Sequence, residues 1–336
     1  MALLQKGTIF AVATETTIGA GKATAWANSD VVGVNEDSSL TPATESIERN
    51  VLNGTFYMCP SLTGNETVSG SLNVELGVQT VAGTEAGKLK GHNLFLAGMG
   101  IYVEQGADVD TVAKTIIEEA DPVANPTEYD LYALAKPSDP RTTLAVRELI
   151  GGSGDNVLDY KGLVVDSIAL NLATGQIATA SFSLSGIKYD TATGQTVLVN
   201  SGCGANPFVV KSAKFSVDDV ELQAMDVTLN IANTNTDRMA ISSTGISDKV
   251  TTAKAVDISY TLDMVDTSAY AKLKANATAE IFIELTNGVE KIFIYLPKVN
   301  YKEVAKNNDG GVITLQISSS AYPDALGEPI YIASKK

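Results

Sequence analysis

The 336-residue chain is long enough for one large or two ordinary domains, each with its own core. Hydrophobic residues make up 44% and charged residues 19%, with no apolar run of about eighteen residues, so nothing reads as a bilayer-spanning helix. The net charge of −15 argues against a surface that grips phosphate through clustered Lys and Arg, and Cys59 and Cys203, far apart, indicate neither a disulfide framework nor a thiolate metal site.

In chain order, residues 1–12 carry Lys6 and a short apolar stretch, without the basic, apolar and cleavage regions of a secretory signal. Gly19-Ala20-Gly21-Lys22 invites a phosphate-loop reading, but that motif needs Gly at position 16 and Ser or Thr at 23, where Thr16 and Ala23 stand. Trp26, between two alanines, reads as a packing residue. In residues 71–78 (SLNVELGV), Leu72, Val74, Leu76 and Val78 alternate with Ser71, Asn73, Glu75 and Gly77, the period-two pattern of a half-buried strand. Thr84 and Glu85 signal a helix start leading into Lys88-Leu89-Lys90. His92, the only histidine, falls on or near that helix and reads as structural, since any His-based triad or metal site would rest on it alone.

Residues 98–159 hold Pro122, Pro126, Pro137, Pro140 and Gly151-Gly152-Ser153-Gly154, the marks of a long excursion from a compact unit, read as a partner-contacting arm or as surface elaboration. Val157 occupies the third glycine position of a dinucleotide fingerprint, and Asp108-Val109-Asp110 lacks the Gly and Glu of a calcium loop. Alternating runs at 163–172 and 177–187 flank the turn Ala173-Thr174-Gly175-Gln176 as a hairpin. Residues 201–207 (SGCGANP) are the best linker, dividing the chain into 1–200 and 201–336.

Beyond the linker the first pattern returns. Residues 239–245 (MAISSTG) match 58–64 (MCPSLTG) at Met, Ser, Thr and Gly, and 255–262 (AVDISYTL) lie against 71–78, setting Val256 against Leu72. A second helix start at 266–268 leads to Lys272-Leu273-Lys274, and runs at 291–301 and 312–318 flank a loop of Asn307, Asn308, Asp309, Gly310 and Gly311. One β-rich unit is present twice, the first copy carrying about fifty extra residues.

These segments carry a resemblance. Gly7-Thr8-Ile9-Phe10-Ala11-Val12-Ala13 with Gly19, Thr44-Glu45-Ser46-Ile47-Glu48-Arg49, Gly70-Ser71-Leu72-Asn73-Val74-Glu75-Leu76, Val164-Val165-Asp166-Ser167-Ile168 and Phe182-Ser183-Leu184-Ser185-Gly186, in this order, resemble the tail tube proteins of long-tailed, non-contractile phages. Asn230-Ile231-Ala232-Asn233 to Met239 resembles the same segment in the second half. The resemblance implies a mainly β chain of two tandem tail-tube domains, each an antiparallel β-sandwich or partial barrel with a short flanking α-helix, closing into a β-barrel ring on oligomerisation. It further implies a structural virion protein, not an enzyme, with no cofactor, catalytic residue or metal. Stacked rings, trimeric with a hexameric alternative, would form a conduit for DNA ejection in the virion tail, assembled in the host cytoplasm. The partners would be further copies of itself, the tape-measure protein, tail terminator and distal tail proteins, and genomic DNA passing without sequence-specific binding, with no membrane.

Under that reading the polar rows face the channel: Ser71, Asn73 and Glu75, Asp257, Ser259 and Thr261, Thr179, Ser181 and Ser183, and Thr314, Gln316 and Ser318. A hydroxylated, mildly acidic wall would hydrate DNA without gripping it. Periodicity alone allows the same rows to face ordinary solvent. The alternatives are a two-domain β-sandwich adhesin or carbohydrate-binding surface protein, which expects clustered exposed aromatics, and a hydrolase using paired carboxylates such as Glu118-Glu119 or Asp218-Asp219.

Overall fold

A computed structural model describes residues 7–49, 60–79, 87–104, 129–136, 139, 141–199, 207–210, 213–240, 246–288, 290–323 and 327–335. Its strands in the first half are β1 (Ile9–Thr14), β2 (Val31–Val32), β3 (Ser39–Ile47), β4 (Leu62–Glu75), β5 (Gly100–Val103), β6 (Asp130–Leu134), β7 (Leu144–Leu149), β8 (Val157–Ala173), β9 (Thr179–Gly186) and β10 (Lys188–Ala192). The second half adds β11 (Lys214–Val217), β12 (Val220–Leu222), β13 (Ala224–Met239), β14 (Ile246–Asp263), β15 (Thr278–Thr286), β16 (Lys291–Asp309), β17 (Val312–Ala321) and β18 (Tyr331–Lys335). Two α-helices stand among the described residues, α1 (His92–Met99) and α2 (Ser268–Ala275). The chain is mainly β and every strand pairing is antiparallel, as the alternating runs lead one to expect.

The long strands β8 and β16 each serve two sheets. In the first half β3–β4–β9–β8 form one layer, while the beginning of β8 pairs with β10 and with β7, which leads to β1 and β2. In the second half β13–β14–β17–β16 form one layer, while the beginning of β16 pairs with β18 and with β15, which leads to β11 and β12. The succession of pairings is the same. The layers join where β8 pairs with β13, from Ser167↔Ala232 to Ala173↔Asp226. The result is an eight-stranded inner sheet, β3-β4-β9-β8-β13-β14-β17-β16, which is not closed within one chain.

Matching bulges fix the correspondence. One interrupts β8–β9 between Val165 and Ser167, and one interrupts β16–β17 between Tyr301 and Glu303. Counting from them sets Val68 against Val256 and Leu72 against Tyr260, four residues from the match of Leu72 with Val256 read off the sequence. A four-residue slip leaves each side chain on its face, because the strand period is two.

The apolar alternants make one core. Leu72, Phe182, Ile168, Leu170, Leu229, Ile231, Ile258 and Tyr260 are buried there together, each stabilising the fold by roughly 1.5–3 kcal/mol. α1 covers part of it with Leu94, Phe95 and Met99. The expected helix around Lys88-Leu89-Lys90 is displaced: Leu89 bridges Val78, and Gly91, left-handed at φ 72°, starts α1 just afterwards. In the second half α2 carries Lys272 and Lys274 as expected, its start secured by Ser268 N donating to Asp266 Oδ1 at 2.8 Å.

Of the excursion at 98–159, β7 and the start of β8 are strands of the first half's own sheet, whereas β5 pairs with β6 and β6 pairs with β18 of the second half. Residues 105–128 of that stretch lie outside the described residues, as do Thr84, Glu85, 241–245, most of the linker 201–207 and both cysteines.

Candidate functional site

The polar alternants of the inner sheet form continuous cross-strand rows. Asn73 faces Ser181, Ser181 faces Ala169, Ala169 faces Asn230, Asn230 faces Asp257, and Asp257 faces Ser320. One step on, Glu75, Thr179, Asn171, Thr228, Ser259 and Ser318 form a second row. One step back, Ser71 faces Ser183 and Ser183 faces Ser167. Thr261 faces Gln316, and Thr314 faces Asp263. Directly opposed residues share a face, so all twelve expected positions lie on the side away from the core. Most are half-buried; Gln316 is exposed and Thr314 is buried.

The expectation omitted the centre of the face. Ser167, Ala169 and Asn171 of β8 and Thr228 and Asn230 of β13 join the two halves of the wall. Their signal was present in the alternation with Ile168, Leu170, Leu172, Val227 and Leu229.

The face carries more acid than base. Glu75, Asp226, Asp257 and Asp263 lie on it. Lys302, at the β16 bulge, reaches Asp257 Oδ1 at 2.8 Å, and Ser320 Oγ donates to the same oxygen. Partial burial opposes ionisation of Asp257, but these hydrogen bonds and the Lys302 charge outweigh it and hold the carboxyl below its usual range. Lys90 approaches Glu75 at 3.9 Å. Small hydroxyl and amide groups with a slight negative balance hydrate a surface without supplying phosphate contacts.

Elsewhere the groups that the sequence singles out are bound within the chain. The Gly19–Lys22 loop does cradle an anion, but it is the chain's own: Gly19 N and Gly21 N donate to the Glu15 carboxylate at 3.0 and 2.8 Å, joined by Gly162 N and Thr143 Oγ1 at 3.1 Å. A cavity of about 310 Å³ beside Trp26 contains Arg147, whose guanidinium forks onto Asp159 at 2.7 Å twice and onto Gln195 at 3.0 Å. His92 Nδ1 lies 2.7 Å from Tyr132 Oη, and burial, aided by the Lys88 charge, pushes the imidazole down to about 4. Among the described residues no cluster of three or more His, Cys, Asp or Glu could hold a metal, and no helix is long and apolar enough to cross a membrane.

No curated protein matches the chain. A family model does, over residues 6–321, and its description is phage tail tube protein. A match over nearly the whole chain, on an antiparallel sheet with one long polar face, means that the chain belongs to the phage tail tube protein family and is a structural protein of the virion tail.

Proposed function

We propose that the chain polymerises as stacked rings into the tube of a long, non-contractile tail, and that this tube is the conduit for DNA ejection. The observation that carries the reading is the identical succession of pairings in residues 1–200 and 201–336, taken as two tube domains, with the β8–β13 junction leaving β3 and β16 as open edges of the inner sheet among the described residues. An edge is a template for another strand. Three chains joined edge to edge would give twenty-four strands at about 4.8 Å spacing and, with tilt, a backbone diameter of roughly 35–50 Å, wide enough for a double helix. A hexamer of chains is the alternative.

The polar rows would then line the channel, first around the tape-measure protein and afterwards around DNA. Two long hairpins, β3–β4 and β13–β14, run on past the strands that flank them toward one rim, where Ile47, Leu62 and Met239 are exposed. They are suited to contact a stacked ring, a terminator or a distal tail protein. Electron microscopy of concentrated purified protein should show rings and hollow tubes. A monomer that persists with and without the tape-measure protein would overturn the reading.

A further inference from the structure

The two open edges can be read against the junction that the chain already makes within itself. Inside the chain, Leu170 of β8 faces Leu229 of β13. Counted from the shared bulges, the position of Leu170 is held in β16 by Lys306, and that of Leu229 is held in β3 by Leu40. A junction between copies that repeats the internal register therefore sets Lys306 of one copy opposite Leu40 of the next. It also sets Asn307 opposite Ser39, as Asn171 faces Thr228.

The surroundings of Leu40 differ from those of Leu229 in a matching way. Tyr160 Oη lies 3.1 Å from the Leu40 carbonyl oxygen and 2.6 Å from Glu148 Oε2. From the bulge shared by β7–β8 and β15–β16, Tyr160 corresponds to Leu296 and Glu148 to Ile283. Thus the four positions at the internal junction hold Leu170, Leu229, Ile283 and Leu296, all 1% exposed or less. At the open edges the same positions hold Lys306, Leu40, Glu148 and Tyr160.

Among the described residues the hydrogen bond to Tyr160 is the one polar contact of the Glu148 carboxylate, and Lys306 has no ion-pair partner. A largely buried carboxylate without a cation is costly, and desolvation holds Glu148 above its ordinary range despite the tyrosine hydroxyl. Directly opposed Cα atoms lie about 4.5–5.5 Å apart, so a lysine stem opposite Leu40 spans the gap to that carboxylate.

We propose that Lys306 is the ion-pair partner of Glu148 in the next copy of the chain, making the junction between chains polar where the junction within each chain is hydrocarbon. This rests on the ring reading. The pairing also fixes register, because a one-residue slip carries Lys306 to the opposite face.

Lys306→Met should raise the critical concentration for tube assembly at least tenfold, measured by sedimentation, while the monomer's melt stays unchanged. Lys306→Met combined with Glu148→Leu, which rebuilds the hydrocarbon junction, should bring it back to near the parent value. Ser39→Cys with Asn307→Cys, in a chain with Cys59→Ser and Cys203→Ser, should give disulfide-linked oligomers on oxidation. Tubes that form without that cross-link would overturn the register. Lys306→Met assembling at the parent's concentration would overturn the ion pair and leave the ring standing. A parent protein that never forms rings would remove the ring reading and the proposal together.

Discussion

Protonating His92 means placing a charge among Tyr102, Tyr132 and Lys88. The ring meets Tyr102 edge-on at 4.6 Å between centroids. Tyr132 Oη accepts from Leu89 N at 3.3 Å and lies 2.7 Å from His92 Nδ1, a hydrogen bond that the neutral ring can make. The folded-state pKa, about 4, lies below the ordinary 6.5, so the native state binds protons less readily than the unfolded chain. The contribution of His92 to stability is therefore full above about pH 6.5 and is lost progressively as pH falls toward 4, by up to about 3 kcal/mol. His92→Phe should cost about 1 kcal/mol at neutral pH through the lost hydrogen bond and should flatten that slope. Urea melts at pH 7, 5.5 and 4.5 would check this, and an unchanged slope would assign the acid sensitivity elsewhere. The sequence marked His92 as structural from its isolation alone. Its aromatic partners Tyr102 and Tyr132 come from 10 and 40 residues away and were not legible.

At the scale of elements, β8 depends on a single bend. Gly162 takes φ +65° where the strand passes from one layer to the other, and its N–H is held by the Glu15 carboxylate. A Cβ there would lie 2.5 Å from Ile187 Cγ1. Gly162→Ala adds left-handed strain to overpacking, and should cost about 2–4 kcal/mol in a denaturant melt. A loss below about 1 kcal/mol would mean that the strand relaxes freely at this point. Periodicity revealed the second half of β8 as apolar alternation and placed the β8–β9 hairpin well, but it gave the beginning of β8 to the excursion and took Asn307–Asp309, the end of β16, for loop. It could not reveal that one strand belongs to two layers. Nor could it separate the Lys88-Leu89-Lys90 segment from the helix that follows, because composition resembling Lys272-Leu273-Lys274 outweighed the glycine that stops it.

For the whole molecule, the polar face has the largest consequence. Asn73 and Asp257 lie in one cross-strand row, and replacing both with Lys would turn a slightly acidic surface basic. Such lysines would bind phosphate by counterion release. If the face lines the channel, tubes should still assemble and DNA delivery should fall at least tenfold, measured as ejection from adsorbed particles. Loss of assembly with normal delivery through any tubes formed would place the face elsewhere. The sequence by itself pointed to a mainly β chain and to which side chains share a face, because these follow from a local period of two. Only the tertiary structure decided that β8 meets β13 and that β6 pairs with β18 of the second half. It alone set Lys306 on β16 and placed Glu148, through Tyr160, beside Leu40 of β3, since strand partners are chosen by contacts across about fifty to two hundred residues that no local period encodes.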